Sequence, residues 1–434
     1  MGLLIKRAVP FFDPAEEAVG PGAGRAWNGA GEALRPMDFL FEEGRISQVG
    51  EDLGSPPGAQ VFEAGGRLLV PAFVDAHVHL DKVLTWGRIA GNRSGTLAEA
   101  VAILREIKSS SAWTVSWVKE RAREVIRWEL EHGATVLRTH VDVEPSGGLV
   151  GVSALCELRE EVRQWVDLQV CVLPPGDVLG EPATRCLVKE AVRMGADLVG
   201  GSPHHCPVEA EANIRWLFDL AVATGKPIDL HVDETDDPSV VTARVVAREA
   251  ARRGMKGRVA ASHLCSLDAL PEETAREVAK ELAEAGVHAV ALPAANLFLR
   301  GRGDACARRR GMTRVRTLAS AGVNVAFASD NIRDPFCPYG NGDPLEIANL
   351  GAQVAQFGTE RELTEALAMV TYRAAAVVGL KEYGLSPGCR GDVVVLDCRS
   401  PVEAIISRPR PLLVVRRGKV VVRSEVRVEC LATL

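Results

Sequence analysis

The spacing of hydrophobic positions changes twice along the chain. Near the N-terminus, short apolar runs alternate with turn residues, beginning with Leu3-Leu4-Ile5. Two such runs, 39–41 and 45–49, flank a Glu43-Gly44 turn, which is a hairpin pattern. The same pattern returns in the tail, with apolar runs at 392–396, 412–415 and 420–422 and an Arg417-Gly418 turn before the last. Both ends of the chain therefore predict β-structure.

The middle of the chain, from about residue 66, alternates short apolar runs with amphipathic segments such as 116–132, 209–224 and 271–286. Several of these segments end in glycine just before the next apolar run, as a helix C-cap requires. The candidate strands are 68–75, 135–141, 167–173, 197–201, 227–232, 258–262, 288–292 and 323–328. Strands that are apolar on both faces and separated by helices are typical of a parallel (β/α)8 barrel.

These patterns predict two domains. The barrel takes residues 66–384, and the segments 1–65 and 385–434 meet as one small β-sandwich. The glycine-rich stretch from Gly20 to Gly31 is interpreted as a flexible loop, because no helix pattern follows it as a phosphate loop would need.

Composition narrows the class of protein. The chain has 434 residues, 47% hydrophobic and 25% charged, which is ordinary for a globular protein of this size. The net charge of −6 argues against a nucleic-acid partner. The chain has a single tight basic run, Arg308-Arg309-Arg310, which is interpreted as a solvated loop. Ten scattered cysteines without a CxxC pair favour the reducing cytoplasm. We expect no signal peptide and no membrane partner, since no apolar run is long enough to span a bilayer.

His77 and His79 end the first barrel strand as a His-x-His pair. Residues i and i+2 of a strand point the same way, so both imidazoles face one site. A barrel places its chemistry at the carboxyl ends of its strands, where His231, His263 and Asp330 also lie. Histidines with a carboxylate suit one divalent transition metal ion per subunit, such as zinc or iron, with a position left for water.

Three side chains near this site have predicted catalytic roles. Glu234, three residues after His231, can carry a proton from attacking water to a substrate nitrogen. Asp330 can take the proton of a metal-bound water. His263 either binds the metal or stabilises the developing oxyanion.

Other histidines are weaker candidates. His132 precedes a glycine and is interpreted as a capping or surface residue, and His288 begins a strand at the opposite end of the barrel. His140 lies late in the second strand, where a structural hydrogen-bond role and a role in lining the pocket are equally compatible with barrel geometry. His204 and its neighbour His205 line either the pocket or a surface loop.

The motifs as a set resemble the amidohydrolase superfamily and, within it, the cytosine deaminase-like branch. They include Asp75-Ala76-His77-Val78-His79-Leu80-Asp81-Lys82, Arg138-Thr139-His140-Val141-Asp142, His231-Val232-Asp233-Glu234, Ala261-Ser262-His263 and Arg309-Arg310-Gly311-Met312-Thr313. The stretches 328–334 and 338–343 are similar to N-isopropylammelide amidohydrolases of the same branch.

The resemblance implies a mononuclear site with His77, His79, His231 and Asp330 as ligands, Glu234 as proton shuttle and His263 as the residue that orients hydroxide or the oxyanion. The fourth strand ends without a lysine, so the bridge of dinuclear relatives has no source. The implied substrate contacts are Pro175, His204, Asn331 and Phe336.

The residues at these contact positions argue against plain cytosine as the substrate. Pro175 stands where cytosine deaminases carry a glutamine, and proline offers neither the amide donor nor the acceptor. Asn331 replaces an aspartate, and Phe336 replaces a tryptophan.

The sequence predicts a metal-dependent amidohydrolase that releases ammonia from a C–N bond of a small nitrogen heterocycle. Alternatives are release of an alkylamine from an s-triazine, ring opening as in hydantoinases, which the missing lysine disfavours, and a silent scaffold of the same fold. A homo-oligomer is compatible with all of them.

Overall fold

The computed structural model describes residues 2–15, 35–88, 91–206, 209–306, 309–425 and 429. The chain opens with five strands of a small sheet: β1 Leu3–Pro10, β2 Met37–Glu42, β3 Arg45–Gly50, β4 Gln60–Glu63 and β5 Leu68–Pro71. The predicted hairpin between β2 and β3 is confirmed, with antiparallel pairing and positive φ at Glu43 and Gly44. The predicted loop Gly20 to Gly31 lies outside the described residues, as does Arg308 of the basic run.

Eight strands then form a second, parallel sheet whose neighbours follow chain order. They are β6 Phe73–Val78, β7 Ala134–Asp142, β8 Asp167–Leu173, β9 Leu198–Gly201, β10 Ile228–Val232, β11 Val259–His263, β12 His288–Ala291 and β13 Val325–Phe327. Each predicted barrel strand is present, and most bounds shift by one or two residues. The first differs more: the apolar run 68–75 is divided between β5 of the small sheet and β6 of the barrel.

The barrel closes just beyond its last strand. Asp330 donates its backbone N–H to the carbonyl of His77 at 2.8 Å, and His79 donates to the carbonyl of Asp330 at 3.2 Å. Asp330 also forms a parallel bridge with Val78 and has a φ of +64°. The junction that completes the barrel is therefore made by three of the predicted site residues themselves, and this brings the two ends of the sheet to one place.

Helices cover the outside of the barrel. They are α1 Leu97–Ser109, α2 Val115–Glu131, α3 Val150–Val162, α4 Pro182–Arg193, α5 Ala210–Thr224, α6 Ala243–Arg252, α7 Glu272–Ala285, α8 Pro293–Leu299, α9 Val315–Ser320, α10 Pro344–Val354, α11 Glu360–Met369, α12 Tyr372–Val377 and α13 Pro401–Ser407. Gly225 and Gly286 cap α5 and α7 in the left-handed conformation, as predicted. No described helix is both long and apolar enough to cross a membrane.

The tail supplies β14 Val393–Leu396, β15 Pro411–Arg416 and β16 Lys419–Arg423. Strand β14 pairs antiparallel with β5, so the two ends of the chain do join in one eight-stranded sheet. Side chains from both ends share a core that includes Leu3, Phe39, Leu69, Val393 and Val415. The fold is thus a (β/α)8 barrel with a small β domain made from both termini, while the exact boundaries at 65/66 and 384/385 stay predictions. No disulfide joins the described cysteines.

Candidate active site

Four buried side chains converge at the carboxyl ends of the barrel strands. His79 Nε2 lies 3.3 Å from His77 Nε2, 3.1 Å from His231 Nε2 and 3.2 Å from Asp330 Oδ1. His77 Nε2 lies 3.5 Å from the same carboxylate oxygen. These four residues, called the His77 cluster below, come from the ends of β6 and β10 and from the loop after β13.

The His77 cluster fits a metal ion better than a hydrogen-bonded network. An imidazole nitrogen has either one proton or one lone pair, so His79 Nε2 cannot satisfy three neighbours at hydrogen-bond distance. Ligand atoms about 2.0–2.1 Å from a zinc ion would lie roughly 2.9–3.6 Å apart at angles of about 90–120°, which agrees with the observed spacings and leaves a position for water. Asp330 Oδ1 is buried and makes no hydrogen bond to the described residues.

The protonation states also suit a cation. Burial lowers the pKa of His77 to about 4 and that of His79 to about 3, and it lowers the pKa of His231 well below its ordinary value. Burial alone would raise the pKa of Asp330, but the facing imidazoles of His77 and His79 keep it well below its usual range. Neutral imidazoles and an ionised carboxylate are the forms that bind a metal.

A buried polar chain holds His77 from behind. Its Nδ1 lies 3.0 Å from Ser262 Oγ, which in turn donates to Asp229 Oδ1 at 3.2 Å. Asp229 Oδ2 accepts from Arg138 at 2.8 Å. Because Ser262 donates to the carboxylate, it accepts from His77, which leaves the lone pair of His77 on Nε2, facing the cluster. His140, whose role the sequence left open, is buried and stacks on His77 with ring centroids 3.8 Å apart.

We expect Ser262→Ala to lower metal affinity about 10–100-fold without unfolding the protein, because removal of an outer partner of a ligating histidine has effects of this size. Metal dissociation constants measured by competition with a chelator would test this. The matched control is Ser266→Ala, which removes another buried hydroxyl, one that donates to the Val240 carbonyl away from the cluster. Equal affinities in wild type and Ser262→Ala would contradict the prediction.

Glu234 and His263 border the pocket in front of the His77 cluster. Their closest atoms, Glu234 Oε2 and His263 Nε2, are 3.8 Å apart. Arg300 donates to the Glu234 carbonyl at 2.8 Å and lies 3.6 Å from Glu234 Oε1, so it steadies this residue. His263 Nδ1 faces Asn296 Oδ1 at 3.1 Å, which makes Nδ1 the donor and leaves Nε2 free towards the pocket.

The predicted substrate contacts divide into two groups. Pro175, Asn331 and Phe336 line the pocket. His204 is buried behind it, with Nδ1 3.1 Å from the carbonyl of His231, and its neighbour His205 lines the pocket instead. His132 is the C-cap of α2, as one of its two interpretations required.

Sequence reasoning missed a charged network on the opposite wall. Lys82 donates to Asp142 at 2.8 Å, and Lys108 bridges Asp142 and Glu144 at 2.7 and 2.8 Å. Burial would lower the pKa of Lys82, but Asp142 and Asp81 raise it above its usual value, so the pocket contains a permanent ammonium group. The signal was available, since Asp142 is the last residue of β7 and strand ends carry the chemistry of a barrel.

The fourth strand itself, β9, ends in Gly200-Gly201 and so offers no side chain to the His77 cluster. A Cβ atom at Gly200 would lie 2.6 Å from the Val172 carbonyl oxygen and 2.8 Å from Cys171 Sγ. A lysine cannot replace this glycine without moving two strands. The packing of β9 therefore agrees with a single ion in the His77 cluster.

Comparison with known proteins places this geometry in a family. A family model described as "Amidohydrolase family" matches residues 88–422. A pterin deaminase from Rhizobium rhizogenes is 33% identical over 398 residues, covering 91% of this chain and 89% of the relative. An N-isopropylammelide isopropyl amidohydrolase from Pseudomonas sp. (strain ADP) is 32% identical, covering 84% of this chain and 88% of that protein.

A solved structure is similar over almost the whole length. The crystal structure of 5-methylcytosine deaminase from Klebsiella pneumoniae, liganded with 5-fluorocytosine, has a TM-score of 0.89 and 33% sequence identity. The match covers 99% of both chains. The small β domain and the barrel therefore share their arrangement with that enzyme.

Proposed function

This chain belongs to the amidohydrolase family, and we propose that it is a metal-dependent aminohydrolase that releases ammonia from an amino-substituted nitrogen heterocycle. The observation that carries the proposal is the His77 cluster, with Glu234 and His263 at its open side. We propose His77, His79, His231 and Asp330 as the metal ligands. The two similar deaminases are named for pterin and 5-methylcytosine, and both rings belong to this class.

Each residue has a role that follows from its position. A divalent ion in the His77 cluster would lower the pKa of the attacking water towards about 7. Glu234 accepts a proton from that water and delivers it to the ring nitrogen, and His263 Nε2 orients the water by accepting its other hydrogen. The ring carbon gains a C–O bond from the water oxygen. Asp330 takes the remaining proton of that hydroxyl group and passes it to the amino group, so a C=O bond forms as the C–N bond breaks and ammonia leaves.

Recognition of the ring falls to the rest of the pocket. Lys82 is a charged donor suited to a ring carbonyl, and Asn331 and Phe336 provide a polar contact and an aromatic wall. The Pro175 side chain contributes no hydrogen bond, so we expect plain cytosine to be a poor substrate.

The proposal extends to the identity of the metal ion, the cellular compartment and the class of partner. Histidine nitrogens with one carboxylate oxygen suit zinc or iron. The scattered cysteines favour the cytoplasm as the place of action. We infer no nucleic-acid partner from the acidic net charge of −6.

A second candidate is release of an alkylamine from an s-triazine. The similarity to N-isopropylammelide isopropyl amidohydrolase, 32% over 84% of this chain, favours it. The same ligands and the same proton shuttle would serve both reactions, and the pocket that accepts the leaving group would differ.

Amine release by metal-loaded protein across a panel of rings tests the proposal. The panel contains pterin, cytosine, isocytosine, 5-methylcytosine, creatinine, ammelide and N-isopropylammelide, with products identified by mass. We expect ammonia from an amino-substituted pyrimidine or pterin ring. An alkylamine from N-isopropylammelide as the only product would select the second candidate, and silence across the panel with metal bound would contradict both.

A further inference from the structure

Two adjacent histidines stand beside Glu234 at the end of the fourth barrel strand. His204 and His205 belong to the short 3-10 turn Pro203–His205, and their ring centroids are 4.2 Å apart. One nitrogen of each imidazole and one carboxylate oxygen of Glu234 all lie within 4.8 Å of one another. None of these three residues belongs to the His77 cluster.

Backbone contacts fix which nitrogen of each ring is available. His204 Nδ1 lies 3.1 Å from the carbonyl of His231, and His205 Nδ1 lies 2.8 Å from the carbonyl of Pro175. A carbonyl only accepts hydrogen bonds, so both rings donate from Nδ1, and in the neutral form both carry a lone pair on Nε2. The sequence placed His204 against the substrate, but its Nδ1 is already committed to the backbone.

The free nitrogen of His204 is buried without a partner. His204 is 5% exposed, and its Nε2 makes no hydrogen bond to any described residue. Buried polar atoms are normally satisfied, so a buried imidazole with an unsatisfied Nε2, in a group with a second imidazole and a carboxylate, points to a cation.

We propose that His204, His205 and Glu234 form a second divalent-cation site, selective for zinc, cobalt(II) or copper(II). Imidazole nitrogens with one carboxylate are the donors these ions take, whereas magnesium and calcium require oxygen ligands. The site has three ligands instead of four, and Arg300 faces the Glu234 carboxylate at 3.6 Å. Its affinity is therefore lower than that of the His77 cluster.

Occupancy of this site has a consequence for the reaction, which rests on the proposed function. A cation on the Glu234 carboxylate occupies the oxygen that would accept the proton of the attacking water. Excess zinc therefore inhibits ammonia release. Removal of the second ion, so that one zinc ion per chain remains, restores the rate. The second ion is a regulator of the site and takes no part in the chemistry.

Metal counting tests the site without a substrate. The protein is dialysed against rising concentrations of Co²⁺ or Zn²⁺, and the bound metal per chain is measured by inductively coupled plasma mass spectrometry. Wild type takes up one tight and one weaker equivalent. His205→Ala keeps the tight equivalent and binds the second at least tenfold more weakly, and the exposed position of His205 makes loss of folding no concern.

His132→Ala is the matched control. It removes an imidazole whose Nδ1 also contacts a backbone carbonyl, that of Trp128 at 2.8 Å, but which lies at a helix end away from the pocket. It should bind both equivalents. Saturation of wild type at one equivalent, or an unchanged second equivalent in His205→Ala, overturns the inference.

His231→Ala separates this inference from the proposed function. The variant should lose the tight equivalent and keep the weaker one, because the hydrogen bond from His204 goes to the backbone carbonyl of residue 231, which alanine retains. If wild type lacks a tight equivalent but binds one that depends on His205, the second site stands and the catalytic site is wrong.

Discussion

Glu234→Gln should abolish most of the turnover while the metal stays bound. Glutamine keeps the size and shape of glutamate but cannot accept a proton from water, and loss of a general acid–base group typically reduces the rate about 10²–10⁴-fold. Glu234 is 6% exposed and held by Arg300, so the amide occupies the same place. Steady-state ammonia release and metal content, measured on the same preparation at one equivalent of metal, give both numbers.

Glu144→Gln is the control for this variant, since it changes another carboxylate that lines the same pocket. Glu144 already accepts from Lys108 and Arg105, so it is not free to move a proton. We expect a loss of tenfold or less. A rate for Glu234→Gln near that of wild type, or equal losses in the two variants, would exclude Glu234 as the proton shuttle.

The barrel could be predicted because its pattern is strong at every strand. Runs buried on both faces, helices with one apolar side and glycine caps all have local causes, and each points to the same fold. The division between β5 and β6 could not be predicted. Both strands are entirely buried and only Ala72 separates them, so the hydrophobic pattern continues while the chain passes from one sheet to another.

That the candidate ligands lie close together could be predicted from a single rule, because the carboxyl ends of the strands of a parallel barrel meet at one site. Asp229 was missed although the same rule of alternation applies to it. It lies two residues before His231 on β10, so both side chains point into the barrel, with Asp229 one layer deeper. Its contact with Ser262 places it behind His77.

The orientation of His204 and His205 was beyond the sequence for a different reason. Neighbouring residues of a strand alternate faces, but these two lie on a 3-10 turn, where backbone carbonyls decide the direction of each ring. The carbonyls come from His231 and Pro175, which are distant in sequence. Only the tertiary structure brings them to the turn.

His231→Ala should remove both the tight metal ion and the activity. Its Nε2 lies 3.1 Å from that of His79, in a cluster of four candidate ligands, so one of the four protein ligands is lost. Loss of an outer partner costs about 10–100-fold in metal affinity, and loss of a direct ligand should exceed this.

The control is His288→Ala, at the start of β12 on the opposite end of the barrel, which should leave the metal bound. Chelator competition and ammonia release measure the two effects. Full occupancy of the tight site in His231→Ala would remove this residue from the ligand set and leave three candidates, His77, His79 and Asp330, to hold the ion.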